Sequence, residues 1–206
     1  MGFLWGGRKV QVNRPSKHIV VVGVGALGSN LVPLIRNIEQ RIRVVDFDKV
    51  ERKNVLSQFH SVKAAGKLKA TALTQLMKFT WGTVIEPNTN KLQMNNARAL
   101  LGGAELVVDC LDNAEARQIV QNFVRMESIP CVHGGLAANG EFARVIWDES
   151  FVIDSEPAEG AATCEDGEFL PFIGIAASYL AFTVQEFLNT GKKRGFNIHH
   201  GGANRT

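Results

Sequence analysis

One stretch, His18–Asn30 or "HIVVVGVGALGSN", constrains the fold of this chain more than any other. The apolar run Ile19–Val22 reads as a parallel strand covered on both faces, because a strand with one wet face alternates apolar and polar side chains. Glycines then stand at positions 23, 25 and 28. In a strand–turn–helix unit the first glycine permits the tight turn and the second lets a phosphate approach the backbone. The third lets the helix pack on the strand. The start of the helix adds unpaired N–H groups and the positive end of a dipole. Gly23, Gly25, Ala26, Leu27 and Gly28 are therefore a candidate nucleotide-binding set. Asp46 follows 18 residues after Gly28, at the end of a second strand-like run, "RIRVVDFD". A carboxylate there accepts both hydroxyls of a ribose. The motif does not choose between NAD and ATP, and turn glycines with a strand-capping acid are the plain structural alternative.

The rest of the chain alternates in the same way. The spacing predicts a helix over 28–39 with Pro33 inside it as a kink, then a strand over 41–48. Leu68, Ala72, Leu76 and Phe79 mark an amphipathic helix over 66–79. A strand and loop follow over 83–92, then a short helix closed by Gly102, a buried strand over 104–113 and a helix over 114–126. "IPCVHGGLA" and "EFARVIW" read as strands around a glycine-rich turn. "PFIGIAASYLAFTVQEFLNTG" reads as an apolar helix stopped by Gly191. This order predicts an α/β, Rossmann-like, doubly wound and mainly parallel sheet with helices on both faces and an antiparallel extension. The expected organisation is a basic arm at 1–17, a nucleotide-binding domain at 18–190 and a tail at 191–206, the tail a short strand or disordered.

Composition sets the outer limits. The 206 residues are 45% hydrophobic and 21% charged, which suits one compact domain. A net charge of +3 gives no clear nucleic-acid signal. The charge is uneven: eight Lys/Arg against three acids over 41–70, and eight acids with no Lys or Arg over 148–168. The first segment suits an anion, and the second reads as a solvated, mobile crossover loop. Three cysteines without a CxxC pair argue against zinc and suit a reducing cytoplasm. The N-terminus lacks the apolar run of a signal peptide. No stretch approaches the roughly 18–20 apolar residues of a membrane span, so no membrane association is expected.

The later residues favour a triphosphate. Asp46 is followed by Asp48, Asn54 and Gln58 in "DFDKVERKNVLSQ", by Lys69 in "GKLK", and by Asp112, Asn113 and Arg117 in "CLDNAEAR". With "GVGALG" before them and "CEDGEFLPFIGIAASYLAFTVQEFL" after, this order resembles the ThiF/MoeB/HesA family, relatives of the ubiquitin-activating enzymes, over residues 18–190. The resemblance implies ATP- and magnesium-dependent adenylation of the C-terminal carboxylate of a small ubiquitin-like or sulfur-carrier protein by a homodimer. It implies that Asp46 holds the ribose, that Lys69 contacts the phosphates with Asn54 and Gln58 nearby, and that Asp112 holds Mg²⁺. Asp48 completes the binding set. Each residue has a bland rival: a solvated lysine, helix-capping Asp112 and Asn113, loop amides. Arg117 and His133 read as a brace and a packed histidine.

The chain also departs from the pattern. Ser57 stands where the family places a phosphate-clamping arginine, exchanging a permanent two-pronged cation for one neutral hydroxyl. Arg52 and Lys53 lie close enough in sequence to compensate, and Ala26 replaces the usual middle glycine. Cys164 matches a cysteine that some relatives use for a thioester or persulfide. Its acidic neighbours Glu165, Asp166 and Glu168 disfavour the thiolate, so a spectator role stays open. These departures leave a catalytically weak or inactive partner module as the alternative, with an NAD-dependent oxidoreductase behind it.

Overall fold

The computed structural model describes residues 17–137, 139–153 and 169–206. Eight strands form one sheet: β1 (His18–Val22), β2 (Arg41–Val45), β3 (Glu86–Asn88), β4 (Leu106–Asp109), β5 (Cys131–Leu136), β6 (Phe142–Trp147), β7 (Phe196–His199) and β8 (Gly202–Arg205). Their spatial order is β3-β2-β1-β4-β5-β6-β7-β8. The first five are mutually parallel, and β6, β7 and β8 add on antiparallel. The helices are α1 (Ala26–Leu34), α2 (Lys69–Trp81), α3 (Ala97–Leu101), α4 (Ala114–Glu127) and α5 (Leu170–Thr190).

Strand alternation divides the core in two. Ile19 and Val21 of β1 point to one face, where they pack with Leu31 of α1, Leu73 of α2 and Leu180 of α5. Val20 and Val22 point to the other, against Leu101 of α3 and Val120 and Val124 of α4. Both faces of the central parallel strands are thus covered, which is why β1 and β4 carry the apolar runs Ile19–Val22 and Leu106–Val108. The chain winds outward from β1 to β3, then returns to place β4 on the other side of β1. The order reverses there, and the crevice beyond the carboxyl ends of β1 and β4 is where such sheets bind ligands.

Several local expectations change. α1 begins at Ala26, with Gly25 as its cap, and stops at Leu34 instead of reaching residue 39. Pro33 supplies no N–H to the ladder, and Arg36 Nη1 donates to the Pro33 carbonyl at 2.5 Å as the chain turns away. α2 buries Ala70, Ala72, Leu73 and Met77, while Leu76 is half-buried and Phe79 is 92% exposed. Its buried stripe is rotated from the expected one because Lys69 itself turns inward. The tail forms the β7–β8 hairpin and extends the sheet. α5, with 21 residues, is long and apolar enough by length and composition to cross a membrane, contrary to the expectation that no stretch is. In this fold it is a core helix: Phe172, Ile173, Ala176, Ala177, Leu180 and Val184 are buried, and Glu186 pairs with Arg194 at 2.8 Å.

Candidate functional site

The glycine turn is built as the spacing required, with a distinct reason at each position. Gly23 adopts φ +85°, and a Cβ there would stand 3.0 Å from the Cys110 carbonyl oxygen, at the switch point between β1 and β4. A Cβ on Gly28 would fall 1.9 Å from the Gly23 oxygen, so this glycine lets the helix close over the turn. A Cβ on Gly25 would meet nothing within 4 Å and would project into open space. The Ser29 N–H makes a helical bond to the Gly25 oxygen at 3.0 Å, so the N–H groups of Ala26, Leu27 and Gly28 precede the ladder. Leu27 is a core side chain, directly beneath Gly134, where an added Cβ would lie 2.5 Å from Leu27 Cδ2.

Val24, inside the turn, is held at both peptide groups. Asp46 Oδ2 accepts its N–H at 2.8 Å, and His60 Nε2 lies 3.0 Å from its carbonyl oxygen. A carbonyl only accepts, so the His60 proton sits on Nε2 and leaves Nδ1 as a bare acceptor. The other Asp46 oxygen accepts the Asp48 N–H at 2.8 Å. Burial pushes the Asp46 carboxyl pKa up, against the opposing pull of these hydrogen bonds and of Lys69. Burial, then the nearby Lys69 charge, lowers that of His60, partly offset by its hydrogen bond to Val24.

Gly23, Gly25, Asp46, Asp48, Lys69 and Asp112 line one cavity of about 770 Å³. Lys69 is 9% exposed, with Nζ 3.5 Å from Asp48 Oδ2. Asp112 is exposed on the opposite wall, and Asn113 caps α4 by accepting the Ala116 N–H at 2.8 Å. Phe47, Leu92 and Met94 give the cavity an apolar side, and Lys91 Nζ sits 5.5 Å from the Phe47 ring centre.

Asn54 and Gln58 do not line the cavity. They are buried at its edge in sequence, between Asp48 and Lys69, and Asn54 Oδ1, Gln58 Oε1 and His60 Nδ1 have no hydrogen-bond partner. Ser57 is fully buried, its hydroxyl 3.3 Å from the Asn54 carbonyl oxygen. Arg52 is exposed and Lys53 pairs with Glu51 at 3.7 Å. Cys164 lies outside the described residues. Burial and then Asp109 push the pKa of the Cys110 and Cys131 thiols up, which leaves both poor nucleophiles.

Sequence reasoning missed His60 and a second polar network. Asp109 and His133 are register partners on β4 and β5, both fully buried. His133 Nδ1 lies 2.7 Å from Asp109 Oδ2, and its Nε2 3.0 Å from Asp148 Oδ1. Asp148 opens the span expected to be a solvated loop, yet it is 7% exposed, and Arg125 donates to it at 2.7 Å. Burial raises its carboxyl pKa, but hydrogen bonds from Arg125, Gln121 and His133 outweigh this and leave it lowered. The available signal was the four-residue spacing of Arg117, Gln121 and Arg125, a polar stripe on α4.

The fold and this turn define a doubly wound α/β protein with a crevice at the β1/β4 switch point. The ThiF family matches residues 4–200, and the chain belongs to that family. The SAMP-activating enzyme E1 of Haloferax volcanii is 32% identical over 124 residues, covering 59% of this chain and 46% of that protein. The adenylyltransferase and sulfurtransferase UBA4 of Meyerozyma guilliermondii is 28% identical over 177 residues, covering 79% of this chain and 41% of that protein. The chain thus spans less than half the length of these curated relatives. A crystal structure of Escherichia coli MccB with MccA-N7isoASN superposes with a TM-score of 0.75 at 14% identity, over 92% of this chain and 63% of that one. PaaA gives a TM-score of 0.70 at 15% identity, with the same coverage of 92% and 63%. Both share the fold.

Proposed function

We propose that this chain uses ATP to adenylate the C-terminal carboxylate of a small ubiquitin-like or sulfur-carrier protein, or of a peptide. The carrying observation is the single cavity that gathers the glycine turn, Asp46, Asp48, Lys69 and Asp112. Its volume falls in the roughly 300–1,000 Å³ range of ligand sites. The names of the relatives, an E1 and adenylyltransferases, point the same way.

The chemistry asks little of the side chains. The attacking carboxylate is already ionised, so no general base is needed. Its oxygen bonds to the α-phosphorus as the bond to pyrophosphate breaks, and no proton moves. The protein must align the two groups and neutralise charge. In this reading Asp46 orients the ribose and Lys69 faces the phosphates. Among the described residues no three His, Cys, Asp or Glu side chains cluster as a preformed metal site. Magnesium is held through one or two carboxylates plus phosphate oxygens. Asp112 would hold it, and bound magnesium would offset phosphate charge. The acting unit in this proposal is a homodimer.

A second reading, a nucleotide-binding module that does not react, is favoured by Ser57, whose buried hydroxyl is turned onto its own turn. ATP–pyrophosphate exchange with carrier proteins encoded near this chain separates the two. Exchange that Asp112→Ala abolishes supports the enzyme. ATP binding without exchange, rising on Ser57→Arg, identifies a module that lacks only its clamp.

A further inference from the structure

Leu111, on the cavity wall beside Asp112, is gripped at both of its peptide groups. Asp109 Oδ1 accepts its N–H at 2.9 Å. Arg117 Nε donates to its carbonyl at 2.8 Å, and Arg117 Nη2 donates to the same oxygen and to the Gly134 carbonyl at 2.7 Å. The wall is therefore set by Asp109 and Arg117, whose own ion pair is 3.5 Å long. What sets Asp109 is His133.

His133 has no exposed surface, and its two ring nitrogens face Asp109 at 2.7 Å and Asp148 at 3.0 Å. Each ring nitrogen thus has a carboxylate oxygen within hydrogen-bond distance. The Phe151 ring stacks on the imidazole at 3.9 Å between centres and 18° between planes, and Arg117 lies 5.4 Å from the other participant, Phe151. α4 closes the network: Gln121 donates to Asp148 Oδ1 and to the Phe151 carbonyl, and Arg125 to both the carboxylate and the carbonyl of Asp148. Cys131 Sγ, 3.6 Å from Nε2, is the remaining neighbour. A core histidine needing only packing would not require a carboxylate at each nitrogen.

We propose that His133 is a positioning residue that fixes the Leu111–Asn113 wall, acting through Asp109 and Arg117, and ties that wall to the Asp148–Phe151 segment. The consequence for nucleotide chemistry rests on the adenylation reading; the mechanical coupling does not. Loss of one ring contact frees Asp109 to turn, and the Leu111 amide loses its acceptor.

The test uses the full chain with His133→Gln, which cannot donate to both carboxylates, and Asp148→Asn, which alters the outer contact. Amide exchange is read at Leu111 against Val20 and Val21 of β1, and MgATP affinity and the exchange rate are read alongside. In variants that keep the β1 amides protected, Leu111 exchanges at least about 10-fold faster, the scale on which loss of an orienting partner is felt. kcat for pyrophosphate exchange falls by a similar factor while KM for the carrier stays within about twofold. Leu111 protection unchanged in both folded variants overturns the proposal. If His133→Gln does not fold, Asp148→Asn decides by the same readout. A wild-type chain without exchange activity sinks the adenylation reading, and the Leu111 measurement still decides this one.

Discussion

Asp46 and His60 hold Val24 from opposite sides, the carboxylate on its N–H at 2.8 Å and the imidazole on its carbonyl at 3.0 Å. The middle of the glycine turn is thus fixed before any ligand arrives. The arrangement makes stability depend on pH through His60. Burial, then Lys69, lowers its folded pKa below the ordinary 6.5 despite the Val24 bond. A depressed pKa means the stabilising share is present above the unfolded value and is lost as pH falls through the folded one. Urea midpoints should therefore fall as pH drops below about 6.5, with His18, also lowered, contributing a part. His60→Gln should flatten this slope and cost about 1–2 kcal/mol at pH 8, the scale of one compromised buried hydrogen bond. An unchanged slope in His60→Gln would remove His60 from the argument.

The Asp46 carboxyl works in the other direction. Its folded pKa is raised, chiefly by burial, so its share of stability is full below the unfolded value of 3.8 and declines as pH rises through the folded one. Ionised Asp46 is a cost at neutral pH, yet Asp46→Asn should not relieve it. Two N–H donors, from Val24 and Asp48, face the two oxygens. An amide must turn its own N–H₂ toward one of them. The expected loss is about 1–3 kcal/mol in chemical denaturation at pH 7. A variant more stable than wild type would show that desolvation outweighs both hydrogen bonds.

Gly25 and Gly28 should separate binding from folding. An alanine methyl at 28 lands 1.9 Å from a backbone oxygen, so the turn must shift. Gly28→Ala should cost about 1–3 kcal/mol, as overpacked sites do. A methyl at 25 touches no protein atom within 4 Å. Gly25→Ala should melt near wild type and bind MgATP at least about 10-fold more weakly, because the methyl occupies space the phosphate needs. Wild-type affinity in Gly25→Ala, measured by calorimetry, would place the phosphates elsewhere.

The geometry of the glycine turn and the place of Asp46 just beyond β2 were legible because they depend on backbone geometry at fixed sequence offsets. The doubly wound order was legible because strands covered on both faces read as mostly apolar runs, as Ile19–Val22 and Leu106–Val108 do. What lay hidden depends on pairing between distant strands. Nothing in "LVVDC" or "CVHGG" announces that Asp109 and His133 are register partners; only the β4–β5 alignment makes them so. His60 was invisible for a related reason: its partner is a backbone carbonyl, and side-chain motifs do not encode those. The α2 stripe was read from Leu68, Ala72, Leu76 and Phe79, whereas the buried positions are Lys69, Ala70, Ala72, Leu73 and Met77, with the Lys69 ammonium beside Asp48. The tail, expected to be a short strand or disordered, forms a hairpin because β6 offers it an edge to pair with.

Lys69 and Asp112 supply the sharpest functional contrast, since they face one cavity from different elements and differ in what holds them. Asp112 is exposed, so Asp112→Ala should leave stability within about 0.5 kcal/mol, as surface changes usually do. Lys69 is buried with Nζ 3.5 Å from Asp48. Lys69→Met keeps the aliphatic stem and removes the charge, so it should fold. Both variants should lose at least about 100-fold in pyrophosphate exchange, the scale of one group that stabilises transition-state charge. They should part company on magnesium. Raising its concentration should not rescue Lys69→Met, whose lost charge lies on the protein. Asp112→Ala should recover partially, because a weakened metal site refills by mass action. Rescue of both, or of neither, would deny Asp112 the metal-holding role while leaving the Lys69 assignment to stand on the activity loss alone.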